Sequence, residues 1–359
     1  MKKHPRWIVA LAVIAGAHLQ SNLNTLAAEA DSREAAAARA NDPAWKPSTQ
    51  EVDLIQVGDS KTRGALKNFC LDAEGNILAC FSPNGTGSAP GIRVYSPKGK
   101  LLKTFPLEIK PEVLCATTDG SIFVAGGGQL LKLDATGKVL ASAASPVAAV
   151  PVEITKETEE MLKQSKRYSQ EQCDRMKVSF TQRRAQVTGL AATEQDVFMA
   201  VPTPNAFTYQ VYRFDHALQN PKLVVEKLRG CCGQMDIQAR DAKLWIPHNG
   251  RHAVEARDRD GKELSKFGQG GKVKAEDFGG CCEPKNMRAL ANGDILVAES
   301  GPPLCIKRFS ASGKFLGVVA LVDGKSECLR VTVEASPDGS SYYLLDTKRD
   351  AIRVFKAKS

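Results

Sequence analysis

Aromatic residues make up only 6% of this 359-residue chain, and histidine occurs five times. The first shortage removes an obvious stacking platform for bases or sugars. The second leaves little for a metal or acid–base centre, because His4 and His18 lie near the start and only His216, His248 and His252 remain. His248 and His252 are four residues apart, a spacing that shares a face only on a helix, and their surroundings read as strand and turn. No Cys-x-x-Cys-His occurs, which excludes haem attachment, and no Cys-x-x-Cys pair or Gly-x-Ser-x-Gly elbow is present. No apolar run approaches the ~20 residues of a membrane-spanning helix. The net charge is +9 without any Lys/Arg block. Setting aside Lys2, Lys3 and Arg6 leaves 46 basic residues against 40 acidic ones, too thin an excess to mark a nucleic-acid partner.

What is present begins with an export pattern. Residues 1–28 read as a signal peptide: Lys2, Lys3 and Arg6 form a positive end, Trp7 to Ala17 an 11-residue apolar run, and small residues follow. No cysteine precedes Cys70, which excludes a lipid-modified cysteine at the cleavage site, and the leader has no twin-Arg pair. The expected location is periplasmic or secreted, with no stable membrane span after cleavage. Residues 29–50, rich in Ala, Glu and Arg with Pro43 and Pro47, read as a flexible linker or frayed helix. All ten cysteines fall after that stretch, and an even count in an oxidising compartment favours disulfides.

A hairpin signature then repeats: an apolar stretch, a turn with Gly or Asp, and a β-rich run. Examples are Asn68-Phe-Cys-Leu-Asp-Ala-Glu-Gly-Asn-Ile-Leu-Ala79 and Met287-Arg-Ala-Leu-Ala-Asn-Gly-Asp-Ile-Leu-Val-Ala298. From the turn positions Gly75, Gly120, Asp196, Ala242, Gly293 and Gly339 the intervals are 45, 76, 46, 51 and 46. A second turn, Gly99-Lys100-Leu-Leu102 and its counterparts at Gly137, Gly261 and Gly313, follows in four copies. Two Gly-centred hairpins per copy mean four short antiparallel strands, and intervals near 46 suit one propeller blade. The sixth copy has only three strands, so residues 51–58, which alternate as a strand should, are predicted to complete it and close the ring. The predicted fold is all-β, a six-bladed β-propeller of four-stranded antiparallel blades over residues 51–359.

Two stretches, Phe278-Gly-Gly-Cys-Cys-Glu-Pro-Lys-Asn-Met287 with its continuation and Leu244-Trp-Ile-Pro-His-Asn-Gly-Arg-His-Ala-Val254, resemble NHL repeats. The resemblance covers roughly residues 51 to 359 and points to the exported bacterial type of such propellers. It implies the fold more than the chemistry, since NHL-like propellers include protein-binding modules, peptide-amidating lyases and gluconolactonase-like hydrolases.

The 76-residue interval holds a predicted helical insertion, residues 152–186, free of Gly and Pro. Thr155 can cap one helix and Ser169-Gln-Glu-Gln172 forms a capping box for a second, with Met161, Leu162, Tyr168, Met176 and Phe180 as an apolar stripe. The insertion leaves an outer strand and should rise beside the channel mouth where inner strands begin. Cys70 and Cys115 occupy the same position, five residues before Gly75 and Gly120. Cys231, Cys232, Cys281, Cys282 and Cys328 fall where inner strands four to six begin, and Cys173 lies on the insertion. These eight are the disulfide candidates, with the doublets as possible vicinal disulfides.

Aligning the doublets brings Asn68, Asp236 and Asn286 to similar depth, with Lys67, Glu283, Lys285 and Arg288 close by. The expected function is an exported binding or scaffold propeller recognising a small ligand or a protein partner at this cysteine-rich mouth, through Asn68, Asp236, Glu283, Lys285, Asn286 and Arg288. No cofactor is required, and a monomer is expected. The alternative, carried by the resemblance to gluconolactonase-like hydrolases and by the thiols, is a metal-dependent enzyme or redox protein at the same mouth. It would hold copper or zinc on Cys231, Cys232, Cys281, Cys282 and Cys328, or calcium on the oxygen ligands. A channel binding a small anion through Lys67, Lys285 and Arg288 is a further possibility.

Overall fold

The computed structural model describes residues 34–58, 64–83, 89–152, 160, 169–230, 233–280, 282–301, 303–322 and 329–358. Its strands form six four-stranded antiparallel sheets arranged as the blades of a propeller. The inner strands are Leu66–Leu71, Val113–Ala116, Gly189–Ala192, Gln238–Arg240, Asn286–Ala289 and Val333–Ala335. The first strand of the chain, Thr49–Gln56, pairs antiparallel with the last, Ala351–Ala357, from Thr49↔Ala357 to Gln56↔Ala351. It is the outer strand of blade six, and the ring closes as the repeat pattern requires. Among the described residues no helix is long and apolar enough to cross a membrane.

The core is six separate layers, one between each pair of neighbouring blades. Side chains alternate across a strand, so successive residues serve different layers. Leu114 packs with blade one (Cys70, Leu78, Ile92), while Val113 packs with blade three (Leu190, Val197, Met199). Leu296 and Val297 divide in the same way between blades six and four. Each sheet is thus buried on both faces, which explains unbroken apolar runs such as Ile122–Gly126.

In four blades the glycine of the second turn packs against the blade before. Gly137 has φ +87°, and a Cβ there would lie 2.2 Å from Phe105 Cδ1 on the outer strand of blade one. Gly313, with φ +84°, meets Phe267 Cβ of blade four at 2.3 Å. Either Gly137→Ala or Gly313→Ala should lower stability by about 2–4 kcal/mol, combining the left-handed backbone with overpacking. Urea midpoints check this, and a loss below ~1 kcal/mol would show that the turns yield freely. Just beyond these turns Leu102, Leu140, Leu264 and Leu316 are skipped in the strand register and half exposed. A bulge at the start of the outer strand twists the free edge away from strand pairing.

Two expectations change. The stretch read as a flexible linker is folded from residue 34: residues 34–41 are helical and Pro43–Trp45 form a 3-10 turn. Trp45 is buried beside Cys305 and Val318, its indole N–H donates to Val273 O at 2.7 Å, and Arg39 Nη1 donates to Lys272 O at 2.7 Å. Ser48 N and Thr49 Oγ1 continue the contact along the outer strand of blade five. The second change concerns Cys70 and Cys115, which are free thiols, as are Cys80 and Cys305. Equal register does not make Cys70 and Cys115 a pair, because Cys70 faces the layer between blades one and two and Cys115 the layer between two and three.

The insertion leaves between blades two and three, and its described part is the helix Gln170–Arg183. The capping box is present: Gln172 N donates to Ser169 Oγ at 3.3 Å and Ser169 N to Gln172 Oε1 at 2.6 Å. Phe180 is buried with its ring 4.9 Å from that of Phe207, and Arg183 Nη1 reaches Ala206 O, so this helix leans on blade three. Thr155, Met161, Leu162 and Tyr168 lie outside the described residues.

Candidate functional site

The axial residues gather in two layers set by register. Counting back seven residues from the first-turn glycines gives Asn68, Asn286 and Thr332; counting back five gives Cys70, Cys115, Arg288 and Glu334. The first layer closes on itself. Asn286 Nδ2 donates to Asp236 Oδ2, while Val333 N donates to Asn286 Oδ1 at 2.8 Å and Thr332 Oγ1 to Asn68 Oδ1 at 3.0 Å. Across the channel Gln234 exchanges two bonds with the backbone of Val331, at 2.6 and 3.2 Å. Lys285, fully buried, donates to Leu329 O at 2.9 Å.

Below it Arg288 holds two acids, Nε to Glu334 Oε1 at 2.6 Å and Nη1 to Asp236 Oδ2 at 3.0 Å. Burial raises the pKa of both carboxyls, and Arg288 works against that rise. Burial also opposes the Arg288 charge, but Glu334 and Asp236 more than offset it, so the guanidinium stays ionised. Asn68, Asp236, Lys285, Asn286 and Arg288 therefore do converge, as a buried network that fills the channel rather than as an open surface. The Asp236 carboxylate already receives Asn286 and Arg288 donors.

Glu283 touches that network through the charge of Lys285, which favours its ionised form. Its Oε1 accepts from Ser300 N at 2.9 Å, Ser300 Oγ at 2.8 Å and Gly301 N at 2.8 Å, while Oε2 is buried with no hydrogen-bond partner. Burial, then the neighbouring Glu299, push its pKa up to about 8. Glu299 is itself held by Gly279 N at 2.6 Å and by an ion pair with Lys307, whose ammonium lies 4.9 Å from the Trp45 ring. The histidines diverge as expected: His248 Nδ1 bonds Glu255 Oε1 at 2.6 Å inside blade four, and His252 Nδ1 faces Glu283 O at 3.1 Å. Cys231, Cys232, Cys281 and Cys328 lie outside the described residues, as does the side chain of Cys173, and Cys282 is buried. No His, Cys, Asp and Glu cluster suited to a metal ion occurs among the described residues.

The open volume is at the other end of the channel. A cavity of about 690 Å³ opens among the first turns, where inner strands end, and all six blades contribute to it. Cys70, Cys115, Arg288 and Glu334 line it in depth, and Thr117, Thr193 and Arg240 lie nearer the turns. A second depression of about 400 Å³ shares Gln238, Arg240, Arg288 and Glu334 with it. Burial pushes the Cys115 thiol up to about 12, which keeps it protonated and unreactive near neutrality. Sequence reasoning missed Glu334 and Arg240. The shared count of five before the turn marks Glu334 beside Arg288, whereas the shorter turn at Asp241 and Ala242 hides the register of Arg240.

No protein-family model matches the chain, and no curated protein matches it. Among solved structures, a protein of unknown function from Bacteroides thetaiotaomicron superimposes with a TM-score of 0.55 at 12% identity, over 87% of this chain and 74% of that one. A chain of the mitotic checkpoint complex gives 0.53 at 11% identity, over 89% and 94%. The WD40 domain of Neurospora crassa Pan2 gives 0.50 at 9%, over 88% and 98%. At these identities the likeness is one of fold: the chain is a six-bladed β-propeller.

Proposed function

We propose that this chain is an exported, NHL-type binding propeller that takes a small ligand into the cavity among its first turns. The carrying observation is that cavity: about 690 Å³, lined by every blade and backed by the Asp236–Arg288–Glu334 network. Small-molecule sites commonly enclose ~300–1,000 Å³ with a few fixed polar groups. The network makes the back wall rigid, so ligand recognition needs little reorganisation. The recognition face is thus opposite the mouth expected from the cysteine doublets. Export is supported by residues 1–28, and the high thiol pKa of Cys115 suits survival unpaired in an oxidising compartment.

Thr118→Trp and Gln195→Trp test the reading, because both positions are exposed at the cavity rim and carry no core packing. In a thermal-shift screen of small polar metabolites, compounds that stabilise the parent chain should lose most of their effect on either variant. Equal shifts on parent and variants would reject the cavity as the ligand site. A screen without any active compound would favour a protein-scaffold role instead.

A further inference from the structure

The cavity reading leaves the ligand's chemistry open, and one guanidinium narrows it. Arg288 and Arg259 are both satisfied, the first by Glu334 and Asp236, the second by a two-bond pair to Asp196 at 2.9 and 2.7 Å. Arg240 is not. Among the described residues its one hydrogen bond is Nη1 to Ala289 O at 3.4 Å, Asp241 Oδ2 stands 3.8 Å from its Nε, and Nε is buried with no hydrogen-bond partner there. A guanidinium presents five N–H donors in a flat fork. The side chain is 37% exposed, so water meets its outer donors, but Nε is sealed from it, and a buried donor left unmet is unfavourable unless an acceptor arrives.

Placement strengthens the argument. Arg240 stands between the two connected depressions and lines both. It is the last residue of the blade-four inner strand, directly before a turn in which Asp241 (φ 51°) and Ala242 (φ 57°) are both left-handed without being glycine. Such backbone costs about 1 kcal/mol or more per residue and persists where the surroundings demand it. The strained turn fixes where the Arg240 side chain starts. Lys243, also in the cavity lining, adds a second positive group beside it. Of the acids lining the two depressions, Glu334 is paired with Arg288, Asp196 with Arg259, and Asp338 is held by Ser336 and Ser340; Glu194 is exposed at the rim, and Asp241 is the loose counter-ion beside Arg240.

We propose that Arg240 is the anchor for an oxyanion group of the cavity ligand, a carboxylate or phosphate that displaces Asp241 and takes the fork through two parallel N–H···O bonds. This rests on the cavity reading above and specifies its ligand class. The body of the ligand would extend from Arg240 toward Arg288 and the two thiols.

Isothermal titration with succinate and with inorganic phosphate, in chloride of matched ionic strength, tests it on the whole chain. At least one anion should bind the parent, and Arg240→Gln should weaken it tenfold or more. Arg240→Lys, which keeps the charge but loses the fork, should recover only part of the affinity. Arg330→Gln is the control, because Arg330 carries the other arginine Nε that is buried without a hydrogen bond and reaches Thr188 O from the opposite end. Binding unchanged in Arg240→Gln, binding lost in Arg330→Gln instead, or no heat from either anion at millimolar concentration overturns the assignment. Anion binding that survives Arg240→Gln but fails in Thr118→Trp would sink this inference alone. Binding that survives both would sink the cavity reading as well.

Discussion

Replacing Arg288 with methionine should destabilise the fold by about 3–5 kcal/mol, the usual consequence of leaving buried carboxylates without their cation. Asp236 is buried, the Glu334 side chain is 13% exposed, and both are pushed up in pKa by burial even with Arg288 present. Without it each can be accommodated only by taking up a proton. The sign of the pH dependence follows, since groups whose folded pKa lies above the unfolded one favour folding at low pH and lose that contribution as pH rises. The deficit of Arg288→Met should therefore be largest near pH 8 and shrink toward pH 5. Adding Asp236→Asn and Glu334→Gln should restore at least half the loss at pH 7, because the charges are then removed together. Urea melts at the three pH values read both effects. A loss under 1 kcal/mol would mean that cavity water already solvates the acids and that the fold does not depend on their pairing with Arg288.

The second large effect sits at Glu283. Its folded pKa of about 8 stands against the ordinary 4.5. The folded chain keeps a proton there between those values while the unfolded chain has lost it, so stability falls as pH rises through that window. At ~1.4 kcal/mol per unit the full span is on the order of 3–4 kcal/mol, allowing for the coupling to Glu299. Glu283→Gln should match the parent near pH 5, exceed it in stability at pH 8, and flatten the slope between. Trp45 lies against Lys307, the partner of Glu299, so its fluorescence should report local loosening of the N-terminal arm over the same range. Parallel pH profiles for parent and variant would refute the assignment of the proton to this residue.

The blades were legible because hairpin turns need special backbone. Gly75, Gly120, Gly293 and Gly339 all have positive φ, and so do Gly99, Gly137, Gly261 and Gly313 in the second turns. Punctuation of that kind survives in one sequence, and a missing fourth strand in the last copy pointed to Thr49–Gln56. The meeting of Asp236 with Asn286 was also readable, since each stands four residues after the second cysteine of its doublet. That these residues close their end of the channel was not, because the answer lies in bonds such as Gln234 to Val331, 97 residues apart. Cys70 and Cys115 show the limit of offset counting: it fixes depth but not which of two flanking layers a side chain enters. The arm around Trp45 was misread because Ala-, Glu- and Arg-rich sequence looks solvated, and its acceptor, Val273 O, is 228 residues away.

The seam between Thr49–Gln56 and Ala351–Ala357 also sets a timetable. Blades one to five are each continuous in sequence and can assemble as the chain lengthens, whereas blade six joins the earliest strand to the latest. Until residue 357 is available, the Thr49–Gln56 strand has no neighbour on its ladder, and Tyr343, Leu345 and Ile352 cannot cover Leu66 and Phe69. The ring therefore cannot close until the last strand is available, and its closure pairs Thr49 with Ala357 across nearly the whole chain.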